Sequence, residues 1–431
     1  MQLQRKIFKF LEEWSSNPDK KSLIVSGCRQ IGKTKCILDF CKRKYKKVIY
    51  IDFISEPEYI AVFNGNLTTK EILRKLNLMN NDFTYDENTI VFFDEIQNCP
   101  NAIISLKYFT IDKINTVCSG SLLGTSYNCV SSFPVGYVEL HKMHSLDFEE
   151  FLLNYGIKKE IINEVKKCYE SQTKVDDIIH KKFIELIKLY VCVGGMPEAV
   201  NMYLETKDLN SVFKVQKNIV DGYIADIAKY ADNAEKNKAR ILYESLPKQL
   251  AKEYKKFQYK LIEKNGNSRK YLSSLQWIKD ANLVQICYNL TALQKPLKGF
   301  CTDETFKVYY GDIGLLCCCL GNKIQSNILL GDLQIFKGAI YENLFADFLI
   351  KKDISLYYYT KNSGVSEIDF VCENNEGIIL FEVKSENGKS KSLKYEGEKN
   401  KIKQLIKITT SNLGKNGSIL SLPWYMCMFI K

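Results

Sequence analysis

The sequence has very little histidine: His141, His144 and His180 are the only three in 431 residues. So few, so far apart, exclude a histidine-rich metal centre. Arginine is also scarce, limited to Arg5, Arg29, Arg43, Arg74, Arg240 and Arg269. The net charge of +11 is therefore carried by lysine. Lysine suits diffuse attraction to polyanions, whereas bidentate reading of guanine needs arginine. No apolar run approaches the ~20 residues of a membrane span. The opening Met1-Gln2-Leu3-Gln4-Arg5-Lys6 has no apolar stretch of the kind a leader carries. A cytoplasmic chain with no membrane partner is expected. The fifteen cysteines include no C-x-x-C pair, and Cys317, Cys318 and Cys319 are contiguous. Neither a zinc site nor a disulfide framework favours that spacing. They read as small buried hydrophobes in a reducing compartment.

What is present is ordinary globular composition, 45% hydrophobic and 26% charged, which excludes disordered and low-complexity classes. At about 100–200 residues per domain, the length suggests two to four domains. Residues 1–145 alternate apolar runs (23–25, 48–53, 90–93 and 114–118) with helical patterns. That predicts βα units around a mainly parallel sheet, an α/β fold. Residues 146–240 are mostly helical in pattern. Residues 241–325 add short strands at 283–288 and 306–310. Beyond them a helix at 336–349 precedes strands at 356–360, 367–372 and 377–384, then lysine-rich helix-forming sequence.

The clearest chemistry lies in Gly27-Cys28-Arg29-Gln30-Ile31-Gly32-Lys33-Thr34, which satisfies G-x-x-x-x-G-K-[ST] between a strand and a helix. Its glycines permit a tight loop with inward N–H groups, and the following helix N-terminus adds positive potential. Lys33 can reach the β- and γ-phosphates, and Thr34 can ligate Mg2+. The apolar run ending in Asp94 and Glu95 is the second signal, because burying a charge is costly unless it is paired or metal-bound. Asp94 is expected to hold Mg2+ through water and Glu95 to polarise the attacking water. Ser119, at the end of the next run, is the candidate to sense the γ-phosphate. Arg29 and Arg240 are the candidates to stabilise transition-state charge.

These motifs resemble a known family. The phosphate loop, Phe92-Phe93-Asp94-Glu95-Ile96-Gln97 and Ser119-Gly120-Ser121 look like the AAA-type ATPases of bacteria and archaea with a C-terminal domain of unknown function. Phe133-Pro134-Val135-Gly136, the run from Ser145 to Leu152, Gly194-Gly195-Met196-Pro197-Glu198, Lys337-Gly338 and Tyr341-Glu342-Asn343 agree with it. Tyr137 departs, since many relatives carry arginine or lysine there. The resemblance implies a P-loop ATPase domain at residues 1–145 and a helical lid at 146–240. It further implies a winged-helix-like domain at 241–325 and an α/β nuclease-like domain at 326–431. The activity implied is Mg2+-dependent ATP hydrolysis.

The last hundred residues carry a second pattern. Glu382 and Lys384 share one face of a strand. Asp369 lies on a neighbouring strand, and Glu342 on a helix. Carboxylates sharing a site repel, which favours a divalent cation between them, Mg2+ or Mn2+, at Asp369 and Glu382. The set resembles the PD-(D/E)xK nuclease site. Two outputs stay open: a metal-dependent nuclease acting on DNA or RNA, or an inert fold docking a protein partner or a second copy of the chain. In the winged-helix-like segment, Ser268 is the expected N-cap, with Lys264, Arg269 and Lys270 toward phosphate. Asp312 is expected to cap a helix.

Overall fold

In the computed structural model, residues 2–121, 132–230, 233–252, 256–331, 337–361, 366–384 and 390–431 are described. They form two compact units. The first is Arg5–His144 with Asp280–Asn282, and the second is Met1–Gln4, Ser145–Lys279 and Leu283–Lys431.

The first unit is built on strands β1 (Ser22–Ser26), β2 (Lys47–Asp52), β3 (Thr89–Asp94), β4 (Thr116–Gly120) and β5 (Val138–Lys142). All pair in parallel, in the order β2-β3-β4-β1-β5. Helices Lys33–Lys44, Thr69–Met79 and Pro100–Ile111 lie between strands in sequence, so the βα reading is realised. β3 is buried along its whole length, as a central strand covered on both faces must be. Its Phe93 packs edge-on to Phe63 and Phe109. Each such buried ring contributes about 1.5–3 kcal/mol. β5 was not expected from the sequence. Its residues are half-buried or exposed, because it pairs only with β1 at the sheet edge and has no apolar run.

The second unit holds an eight-stranded sheet of β6 (Val284–Leu290), β7 (Cys301–Tyr310), β8 (Tyr357–Thr360), β9 (Glu367–Asn374), β10 (Gly377–Val383), β11 (Gln404–Thr409), β12 (Gly414–Asn416) and β13 (Ile419–Pro423). The order is β12-β13-β11-β10-β9-β8-β6-β7. The expected cut at 325/326 therefore falls inside one sheet, since β6 pairs with β7 on one side and β8 on the other. The two short strands expected in the winged-helix-like domain, β6 and β7, form an integral edge of that sheet. The lysine-rich region expected as helix is helical only over Lys391–Lys399, and β11 follows. Leu405 and Ile408 are buried in β11, so tertiary burial decides there rather than lysine content. Residues 385–389, with the first lysine of that stretch, lie outside the described residues. Asn267, not Ser268, caps helix Ser268–Asp280, its side-chain oxygen accepting from the Lys270 N–H at 3.1 Å. Lys270 pairs with Glu263. The described cysteines are free thiols, most of them buried. Among the described residues no single helix is long and apolar enough to cross a membrane.

A buried polar network binds the second unit together. Asp312 caps helix Ile313–Leu320, as expected, through the Gly314 and Leu315 N–H groups. It also accepts from Ser145 Oγ at 2.7 Å and the Gly195 N–H at 2.9 Å. Lys351 Nζ donates to Tyr190 Oη at 2.7 Å and to the Leu146 carbonyl at 3.0 Å. It lies 3.0 Å from Asp347 and 3.4 Å from Asp312. Residues from the three segments expected as separate domains thus share one buried cation. Burial pushes the Asp347 carboxyl up to about 6, opposed by the Lys351 ammonium.

Because the folded Asp347 binds its proton more tightly than the unfolded chain does, its stabilising effect is complete below about pH 4 and is lost as pH rises through about 6. The melting temperature of the unaltered chain, measured against Asp347→Asn, should therefore rise as pH falls from about 8 to about 5. A difference that does not move with pH contradicts this.

Candidate functional site

β1 runs directly into the glycine-bearing loop, and helix Lys33–Lys44 begins at its end. Three residues in the loop have positive φ: Gly27 (151°), Gln30 (64°) and Gly32 (88°). For Gly27 the reason is both conformation and space. A Cβ there would meet the Met143 carbonyl oxygen at 2.2 Å and Ile31 Cδ1 at 2.6 Å. Behind the loop, Met143 N–H donates to the Ser26 carbonyl at 2.7 Å. Arg5 donates to the Ile31 carbonyl at 3.0 Å and the His144 carbonyl at 2.6 Å. The loop is therefore clamped to residues 143–144. Arg5 carried no signal in the sequence, because it stands alone far upstream of the motif.

Lys33 is buried, and its ammonium donates to the carbonyls of Gly27 at 3.0 Å and Cys28 at 2.8 Å. Burial lowers its pKa, and the nearby Glu95 charge opposes that. Thr34 Oγ1 donates to Asp94 Oδ2 at 2.8 Å. Asp94 is only 3% exposed. It also accepts from Tyr50 Oη at 3.0 Å, from Ser119 Oγ, and on Oδ1 from the Glu95 N–H at 3.1 Å. Burial raises its pKa, and the hydrogen bonds from Ser119 and Thr34 hold it down. A hydroxyl and a carboxylate, both hard oxygen donors, thus meet at the head of the helix, and they fit Mg2+.

Ser119 is fully buried and given to Asp94, so its hydroxyl holds the carboxylate. The loop-facing hydroxyl is Ser121, which donates to Glu95 Oε2 at 2.9 Å and accepts from Arg29 Nε at 3.5 Å. Gln97 Nε2 also donates to Glu95 Oε2. Glu95 itself has a left-handed backbone, φ 50°. Gln97 and Ser121 stand in the motifs that carry the family resemblance but have no role assigned from sequence, and Tyr50 lies outside those motifs. Tyr50 left a trace as a polar group inside an apolar run, on β2 beside β3. Arg240 is exposed on helix Asn233–Leu250.

The C-terminal acids also come together, with an uninvited partner. Asp369 on β9 accepts the Val383 N–H of β10 at 2.8 Å. Burial pushes its carboxyl up to about 7, aided by the Glu342 charge and opposed by Lys307. Glu382 Oε1 lies 3.0 Å from Lys384 Nζ, while its buried Oε2 has no hydrogen-bond partner. Glu342, on helix Lys337–Ile350, accepts on Oε2 from Tyr309 Oη at 2.8 Å and Lys307 Nζ at 3.4 Å. Lys307 Nζ also donates to Glu367 Oε1 at 2.6 Å. Lys307 and Tyr309 lie on β7, about sixty residues before Asp369 and Glu367. The one sequence signal for Lys307 is a charge inside the apolar run 306–310. Among the described residues, no group of three or more His, Cys, Asp or Glu side chains is arranged to hold a metal ion.

Comparison with known proteins places these features. Residues 19–152 match the family model described as an AAA domain. Residues 184–326 and 337–425 match two domains of unknown function, DUF8612 and DUF4143. No curated protein matches the chain significantly. Among solved structures, the Walker-type ATPase PABY2304 of Pyrococcus abyssi aligns at 16% identity and TM-score 0.43, covering 74% of this chain and 96% of that one. The Aeropyrum pernix ORC1 protein in complex with DNA aligns at 11% identity and TM-score 0.31, covering 77% and 93%. The Thermotoga maritima RuvB Holliday junction branch migration motor aligns at 11% identity and TM-score 0.30, covering 65% and 89%.

Gly27→Ala and Gly65→Ala separate close approach from backbone strain. Both glycines have positive φ, but nothing lies within 4 Å of a Cβ at Gly65. Gly65→Ala should cost about 1 kcal/mol through strain alone. Gly27→Ala should cost about 2–3 kcal/mol more, because the clash is with backbone. Equal losses in denaturant melts would contradict the packing assigned to Gly27.

Proposed function

We propose that the chain, with residues 19–152 matching an AAA domain and 337–425 a domain of unknown function, is an AAA-type P-loop ATPase whose residues divide the work as follows. Lys33, together with the N–H groups of residues 27–34, binds the phosphates of ATP. Thr34 and Asp94 hold Mg2+, which when bound neutralises phosphate charge. Glu95 orients the attacking water and takes up its proton. Arg29 adds positive charge beside the γ-phosphate. Ser119 and Tyr50 are positioning residues that fix Asp94. The observation that carries this reading is the 2.8 Å bond from Thr34 to Asp94, which brings the two expected Mg2+ ligands from separate elements onto one point. In the same reading, Ser121 and Gln97 hold the Glu95 carboxylate, so it must leave them to serve as base.

Arg5 and Ser26 fix residues 143 and 144 to the loop. The next two residues, Ser145 and Leu146, enter the Asp312 and Lys351 network of the second unit. For the output, Lys307 in the acidic C-terminal cluster favours an ATP-controlled docking fold over a metal-dependent nuclease. The lysine-borne charge makes a polyanion such as DNA or RNA one chemistry for the partner, and a protein the other.

Phosphate release and nucleotide binding, measured together, test the assignment. Lys33→Ala should abolish ATP binding. Glu95→Gln should bind ATP as well as the unaltered chain while turnover falls by about a hundredfold or more. Near-normal turnover in Glu95→Gln would remove Glu95 from the chemistry.

A further inference from the structure

The second unit contains a buried charge cluster that ATP hydrolysis does not use. Its acids are those that, by residue type, would suit a divalent cation, and the fit is tested by what surrounds them. Lys307 is 1% exposed at its side chain. Its ammonium lies over the Tyr358 ring, 4.8 Å from the centroid, and meets both Glu342 and Glu367. An ammonium is buried this deeply only with full compensation, and two carboxylates supply it. Glu342 Oε2 already accepts from both Lys307 and Tyr309. Lys384 lies against Glu382. Asp369 is tied to the β10 backbone through Val383. The acids do not fit a metal ion.

We infer that Lys307 is the permanent cation of this site, so that the cluster of Glu342, Asp369 and Glu382 takes no divalent metal. A divalent ion brought to Glu342 or Asp369 would face the Lys307 ammonium at close range in a poorly screened interior. The cluster instead ties strand β7 to helix Lys337–Ile350 and to the start of β9. Among the described residues, the unpartnered Glu382 Oε2 does not supply enough ligands for metal-assisted hydrolysis at this face.

The inference deepens the docking reading and is independent of the ATPase assignments, so its test silences the nucleotide site first. Full-length Asp94→Asn without nucleotide would be titrated with Mn2+ and followed by electron paramagnetic resonance. No stoichiometric Mn2+ binding is expected. Adding Lys307→Ala should raise Mn2+ affinity about tenfold or more, through removal of one adjacent positive charge. Asp369→Asn should cancel that gain, and Lys307→Arg should not produce it. Stoichiometric binding with Lys307 in place, lost on Asp369→Asn, would overturn the inference. So would a folded Lys307→Ala chain, judged by its melting transition, that gains nothing. If Lys307→Ala does not fold, the Asp94→Asn titration and its Asp369→Asn control decide alone.

Discussion

A carboxylate buried at the end of an apolar strand must be held, and the first unit is organised around holding one. Asp94 lies 3% exposed at the end of β3. Burial alone would favour its protonated form. Hydroxyls from three other elements oppose this: Thr34 from the helix after the loop, Tyr50 from β2 and Ser119 from β4. Those bonds fix the register of neighbouring strands against the phosphate loop as much as they fix the acid. The loop is then fixed from behind by the close approach of Gly27 to Met143 and by the two hydrogen bonds of Arg5.

The second unit uses the same device with the sign reversed. Lys351 and Lys307 are buried cations, each placed against two carboxylates. Each costs desolvation and repays it through ion pairs and hydrogen bonds. Each also joins stretches far apart in the chain. Lys351 gathers Leu146, Tyr190, Asp312 and Asp347. Lys307 gathers Glu342 and Glu367. Removing one partner would leave a buried charge unpaired, so these contacts define one arrangement of the unit more sharply than apolar packing does.

Local signals made part of this legible. The phosphate loop shows because glycine spacing, a lysine and a hydroxyl must fall in fixed order next to a strand. Asp94 and Glu95 show because acids rarely end an apolar run. The C-terminal acids show through strand alternation. What stayed hidden depends on tertiary neighbours. Ser119 reads as facing phosphate until its burial against Asp94 is seen. β5 and β11 lack apolar runs, because an edge position and a lysine-rich surface hide them. The single continuous sheet across residues 284–423 cannot be read from a chain that interrupts it with helices. Lys307 is visible only as an odd charge in β7, and nothing local says which acids it meets.

In the proposed site, Asp94 is the residue through which Mg2+ acts on nucleotide binding. Equilibrium binding of a fluorescent ATP analogue, with and without Mg2+, tests this most directly in the unaltered chain and in Asp94→Asn. The account predicts that Mg2+ tightens binding to the unaltered chain by about tenfold or more and does nothing for Asp94→Asn. The same Mg2+ dependence in both would contradict it.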